Sequence, residues 1–362
     1  MRYVDEFRDP AVGRALAQRI HERLGDRQAT LMEVCGTHTV AVFRAGLRDL
    51  LPPNLKLLSG PGCPVCVTPN SYVDHAIALA RRPDVIVVTF GDMIRVPGST
   101  STLERERAAG AEVRVAYSPL EALALAEQHP DRKVVFLAVG FETTAPTLAA
   151  AVAAADKRDL RNFFLLAGNK TMPKPMAALA ADGDLSLDGV ICPGHVSVIT
   201  GAQIYQFLAQ DHGLPCVVAG FEPLDVLQGI AMLVDQVVAG KALVEIQYTR
   251  AVTWEGNVVA QRLLDRVFVP SDAEWRGLGV IPGSGLALAP AFERFDAAAQ
   301  LPVEVEPWRE HAGCLCGQVL KGTHVPADCR LFRTVCTPET PLGPCMVSSE
   351  GTCATYYRYA AP

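Results

Sequence analysis

Short, nearly unbroken apolar runs recur along the first two thirds of the chain. Each ends in a glycine or proline motif, and a helical pattern follows. The runs are Thr30–Val34, Leu55–Leu58, Val85–Phe90, Val113–Tyr117, Val134–Val139, Phe163–Ala167, Gly189–Ile191 and Cys216–Ala219. A strand buried on both faces has no reason to alternate apolar with polar residues, so this rhythm predicts parallel strands in βαβ units. Helix signals fit between the runs. Asp9 can cap a first helix, Pro10 suits its first position and Gly25 can end it. Ser118-Pro119-Leu120-Glu121 forms a capping box ahead of the helix Ala122–Gln128.

Eight strands are too many for one small mononucleotide-type fold. A split near residue 131 gives two Rossmann-like α/β domains, residues 29–130 and 131–240. The pattern then changes. Val252, Trp254, Val258 and Val259 suggest strand or irregular structure, and Ile281–Gly285 reads as a turn. Asp296–His311, rich in acids and proline, looks like a linker or docking arm. Residues 1–28 and 241–362 are therefore grouped as a third domain that holds a cysteine-rich tail.

Composition narrows the class. At 362 residues the chain exceeds one ordinary core, and 49% hydrophobic with 20% charged residues describes a globular protein. A net charge of −6 argues against nucleic acid and against an anionic membrane surface as partners. No apolar run reaches membrane-spanning length, and Met1–Arg8 carries charges where a secretory leader needs an apolar stretch. The expected location is the cytoplasm, where clustered cysteines serve as metal ligands or catalysts rather than as structural disulfides.

Six of the eleven cysteines lie in the tail: Cys314, Cys316, Cys329, Cys336, Cys345 and Cys353. Their wide, irregular spacing favours an iron–sulfur cluster held by several loops over a zinc knuckle, which needs two close pairs. Three more cysteines sit in accessible-looking, glycine-rich turns. Cys35, in Cys-Gly-Thr-His, precedes a helical pattern at Val40–Leu47. A helix N-terminus there would favour thiolate, able to bind a soft metal or attack an electrophile. The plain alternative is an inert buried thiol. His38 could ligate or shuttle a proton. Cys63 and Cys66, in Gly-Pro-Gly-Cys-Pro-Val-Cys, have the spacing of a redox dithiol and also of a metal-ligand pair. Asp92, Glu142, His195 and Glu222 follow strands and are candidates for hydrogen bonding or proton transfer, or else ordinary caps. All these motifs fall where strands end, so one cleft lined by both halves is expected. Cys192 and Cys216 read as core. No Gly-X-Gly-X-X-Gly or Walker pattern occurs.

Taken together, Cys-Gly-Thr-His, Gly-Pro-Gly-Cys-Pro-Val-Cys, Gly-Phe-Glu-Thr-Thr, Pro-Gly-His-Val-Ser and Cys-Met-Val-Ser-Ser-Glu-Gly-Thr-Cys closely resemble the HypD family of hydrogenase maturation factors, over essentially the whole chain. The resemblance implies two Rossmann-like domains and a third holding a [4Fe–4S] cluster. It implies a scaffold that works with HypC on the Fe(CN)2CO unit of nickel–iron hydrogenase and takes cyanide from HypE. Residue by residue, it implies iron held at Cys35, a redox pair at Cys63 and Cys66, and cluster ligands at Cys316, Cys329, Cys336 and Cys353, with Cys314 and Cys345 extra. A different class of function, an iron–sulfur-dependent thiol–disulfide reductase, uses the same residues.

Overall fold

A computed structural model describes residues 5–360 except 184, 306 and 308. All eight apolar runs are strands. They are β1 (Ala29–Glu33), β2 (Leu55–Ser59), β3 (Val85–Thr89), β4 (Val113–Val115), β5 (Lys133–Ala138), β6 (Phe163–Ala167), β7 (Gly189–Pro193) and β8 (Cys216–Ala219). A short ninth, β9 (Val244–Ile246), follows, and then a hairpin of β10 (Phe268–Trp275) and β11 (Gly279–Leu288).

Two parallel sheets result. The first has the order β2-β1-β7-β8-β9, the second β4-β3-β5-β6. Both faces of each sheet are covered. In the first, Leu31, Ile191 and Val217 face one core while Met32, Val190 and Val218 face another. In the second, Val134 and Phe136 point one way, Val135 and Leu137 the other. Two-sided burial is the reason these strands carry no polar alternation.

The division at residue 131 does not follow the strand pairing. β5 lies between β3 and β6, so residues 85–167 form one continuous sheet unit. β1 and β2 pair instead with strands more than a hundred residues later, through β7. An apolar strand carries no mark of its partner, so counting strands into halves cannot see the chain leave one sheet and return. The grouping of residues 1–28 with the tail is also revised. The helix Pro10–Leu24, capped by Asp9 and ended by Gly25 as expected, packs on the helix Pro223–Ala239 of the first sheet unit. Arg19 and Arg23 both reach Asp235 across that contact.

Two local readings change. Val258 and Val259 begin a helix, Val258–Val267, because the Asn257 side chain accepts from the Ala260 N–H and caps it. Ile281–Gly285 lies inside β11, where the hairpin register shifts between Ser271 and Ala273 and Gly283 takes φ 64°. The bulge mimics a turn in sequence. The capping box at Ser118 holds as expected. No helix among the described residues is long and apolar enough to cross a membrane.

Ile191 is fully buried at the centre of the first sheet. Ile191→Ala should cost about 2–5 kcal/mol of unfolding free energy, read as a lower urea midpoint. A midpoint equal to wild type would show that β7 is not central to the core.

Candidate functional site

β1, β2 and β7 run parallel and adjacent, so the loops at their carboxyl ends emerge together. They carry Cys35, Cys63 and His195. The Gly36 N–H donates to the Gly62 carbonyl at 3.2 Å, joining the first two loops. A Cβ on Gly62 would stand 2.2 Å from the Cys35 nitrogen, so only glycine permits this approach. A cavity of about 170 Å³ opens beside Cys35. Its walls include Pro193 and His195 from the first sheet, Phe141 and Thr144 from the second, and Glu350 from the tail. The expected cleft between the two sheets is therefore present, and the tail closes it.

Glu350 was not singled out by sequence reasoning. Thr37 donates to it at 2.7 Å, and a Cβ on Gly36 would stand 2.4 Å from its carbonyl oxygen. Its partners lie more than three hundred residues earlier, a distance over which residue types carry no pairing signal. Glu33 was missed as well, although a lone acid ending an apolar strand was a visible sign. It accepts from Ser59 at 2.5 Å and Thr39 at 2.7 Å, and its other oxygen is buried without a partner. Burial pushes its pKa up to about 8, against the lowering effect of those two hydroxyls.

Cys35 caps the helix Gly36–Arg44 through its backbone, as expected, but it is buried, and so are Cys63 and Cys66. Burial, and then the Glu350 charge, push the Cys35 thiol up to about 12. The helix end does not make a free thiolate here. His38 is buried, and its Nε2 lies 2.9 Å from the Gly220 carbonyl and 3.2 Å from that of Ala219, so it donates there. Nδ1 is then an unprotonated, unpartnered nitrogen. Burial lowers His38 to about 4, which keeps the ring neutral. Phe221 stacks between His38 at 4.7 Å and His195 at 4.0 Å. His195 remains exposed at the cavity rim.

Other candidates lie elsewhere. Phe141, Thr143 and Thr144 line the cavity, but Glu142 turns inward and accepts from the Met172 N–H at 2.8 Å. Its second oxygen is buried and unpartnered, and burial pushes its pKa up to about 7. Asp92 accepts from Ser348 of the tail at 3.0 Å. Glu222 forms a surface pair with Arg8. Cys192 and Cys216 are core, on neighbouring strands.

The tail packs on the first sheet unit. Its helix Thr352–Tyr359 lies against Gly36–Arg44, and Cys316–Lys321 lies against β2. All six tail cysteines surround one cavity with apolar residues such as Val319, Phe332 and Met346. Among the described residues no three His, Cys, Asp or Glu side chains are placed to hold a single metal ion; the sulfurs stand around a space instead. A set of soft thiols around an apolar space fits an iron–sulfur cluster better than one zinc ion.

Cys345 joins this cavity to the dithiol. The Cys66 N–H donates to the Cys63 sulfur at 3.3 Å, and the Cys353 N–H donates to the Cys345 sulfur at 3.2 Å. Burial raises Cys66, with hydrogen bonds to Cys345 and Cys63 acting in the same direction. The neighbouring thiols of Cys316, Cys353 and Cys66 lower the Cys345 thiol well below its ordinary value. Cys314 is lowered to about 6, first by its bond with Cys316 and also by nearby Arg276. Sulfur thus follows sulfur from Cys63 to the tail cavity.

This is an α/β protein with two thiol-bearing sites, one in a cleft between sheets and one in a tail. The family model described as the hydrogenase formation hypA family, HypD, matches residues 11–360. The chain is 50% identical over 367 residues to the hydrogenase maturation factor HypD of Azotobacter vinelandii, covering 99% of this chain and 97% of that one. Against the hydrogenase maturation factor HypD of Escherichia coli K12 it is 45% identical over 366 residues, covering 99% and 98%. The chain belongs to the HypD family.

Glu142 has a pH consequence. Its folded pKa of about 7 lies above the ordinary 4.5, so the folded state binds the proton more tightly. That contribution is whole below pH 4.5 and is lost as pH rises through about 7. Glu142→Gln should flatten the fall in urea midpoint across this window. An unchanged slope would place the proton elsewhere.

Proposed function

We propose that this protein serves hydrogenase maturation as a scaffold that holds iron bearing CN and CO ligands at Cys35. A HypC-type partner shares the iron and a HypE-type partner delivers cyanide. The observation that carries the reading is the closed set of contacts at Cys35: the dithiol loop touches its backbone and both sheets and the tail wall its cavity. The iron is cargo. Low-spin iron with such ligands favours a soft sulfur, and its charge displaces the proton that burial otherwise keeps on Cys35. His38 stays neutral behind the site and His195 stands at the entrance, where the cargo and its carriers would arrive.

Release of cyanide from a sulfur-bound precursor, R–S–C≡N, consumes two electrons and one proton and yields R–SH and CN⁻. Oxidation of Cys63 and Cys66 to a disulfide gives two electrons and two protons, so one dithiol suffices for one cyanide. Cys316, Cys329, Cys336 and Cys353 are the residues we assign to a [4Fe–4S] cluster, which when bound supplies one-electron transfer. Cys345 contacts Cys66 and lies between it and this set. It is therefore assigned to the relay rather than to the ligand set. The protein works in a reducing compartment, where these thiols stay available.

Infrared spectroscopy of the anaerobically isolated protein tests the cargo. Wild type should show Fe–CN and Fe–CO bands, and Cys35→Ala should lose them while keeping the visible absorption of the tail cluster. Cys336→Ala should lose that absorption. Bands of wild-type intensity in Cys35→Ala would refute iron ligation there. A wild-type protein with the cluster and no bands at all would leave the plain reductase reading.

The thiol series makes a second prediction. Mild oxidation should join Cys63 to Cys66, found by mass spectrometry after differential alkylation. In Cys63→Ser, Cys66 should instead cross-link to Cys345. If Cys66 stays free in that folded variant, the two sulfurs do not communicate.

A further inference from the structure

The carboxyl end of β6 opens on a second cavity, of about 310 Å³, apart from the cysteine sites. It lies between Gly168-Asn169-Lys170, the start of the helix Asn70–Ala80 and the β10–β11 hairpin. The loop beginning at Gly140 separates it from Cys35. The Gly140 carbonyl accepts from the Lys170 N–H at 3.0 Å and from Asn169 Nδ2 at 3.3 Å. The hairpin fixes the opposite wall, since the Thr171 N–H donates to the Ser284 carbonyl at 2.8 Å and Lys170 bridges Gly285.

Some buried polar groups of this cavity are unsatisfied. Lys170 is only 5% exposed, yet its ammonium has no hydrogen bond or ion pair with any described residue. The Trp275 ring lies 5.7 Å from it, and the Glu274 charge acts on it across the cavity. A buried cation is costly unless something pairs with it. Asn169 is 2% exposed, and its Oδ1 is buried with no donor. Lys170 thus awaits an acceptor or anion and Asn169 a donor, and the buried Nε2 of His75 in the same lining also has no partner.

The rest of the lining narrows the choice. Glu274, which accepts from Ser71 at 2.7 Å, and Asp272, at the rim, add negative charge. A simple anion would meet these two carboxylates, and a simple cation would meet Lys170. A zwitterion offsets both. Tyr72, Leu286 and Ala287 leave an apolar wall for a side chain. The volume exceeds what a single head group fills and falls at the lower end for small-molecule sites. The position, beyond the carboxyl end of a parallel strand, is where such folds bind ligands.

We propose that this cavity binds a free α-amino acid, its carboxylate on the Lys170 ammonium and its ammonium between Asn169 Oδ1 and Glu274. The proposal stands apart from the iron chemistry at Cys35, because none of these residues lines that cavity. Burial lowers Lys170 to about 8 against the raising effect of Glu274, which still leaves the ammonium mostly charged near neutral pH.

Isothermal titration calorimetry of the full, cluster-loaded chain tests it, with each of the twenty standard amino acids as probe. Acetate and methylammonium serve as half-ligand controls. At least one amino acid should bind saturably, and neither control should. Lys170→Met and Asn169→Leu should each weaken that binding by about tenfold or more. Glu274→Gln, at a half-buried position, is the second test should either of those fail to fold, and should weaken it too. No saturable binding of any amino acid by wild type overturns the proposal. So does acetate binding as well as the best amino acid, or undiminished binding in a folded Lys170→Met or Glu274→Gln.

Discussion

The backbone contact between Gly62 and Cys35 is the constraint on which the site depends. It requires β1 and β2 to be parallel neighbours, so that both loops leave on one edge. It requires glycine, since a Cβ would fall 2.2 Å from the Cys35 nitrogen. Given that contact, the Cys63–Cys66 loop and Cys35 share a wall, β7 adds His195 from the other side of β1, and the tail seats Glu350 on Gly36.

A second contest is decided at Cys35 itself. The helix start favours a thiolate by about 0.3–1 kcal/mol. Burial together with the Glu350 charge disfavours it by roughly 4 kcal/mol net, from the rise of the thiol from 9.0 to about 12. Burial wins, so the thiol without cargo is protonated and protected from oxidation. A cationic metal, if bound there as proposed, would reverse the balance by taking the proton's place.

Local chemistry was legible in the sequence, and pairing was not. Strand runs, the Asp9 cap and the Ser118 capping box depend on neighbours in sequence and were read correctly as elements. The placement of motifs at strand ends followed from parallel topology. What escaped depends on distant partners. β5 carries nothing that says it pairs with β3. Glu350 meets Thr37 only because the tail folds over the first sheet. Cys345 is extra to the ligand set that the family resemblance implies, and it lies beside Cys66 at the tail cavity. Phe221 followed a strand like many others, and its place between two histidines needs three loops at once. The accessible look of Cys35, Cys63 and Cys66 misled because glycine-rich turns are usually surface features, whereas here three turns and the tail bury one another.

The interrupted first sheet also sets an order of events during translation. At about 5–20 residues per second, β7 leaves the ribosome several seconds or more after β2. The second sheet unit, residues 85–167, is continuous and can close in that interval. β1 and β2 must wait for a partner made after it, and Glu350 comes almost last. The nascent chain thus carries Cys35, Cys63 and Cys66 in an uncovered two-strand fragment while a finished neighbour hangs beside it. Chaperone and thiol-reducing capacity in the cell would bear on this interval more than on the folded protein, whose sulfurs are already enclosed.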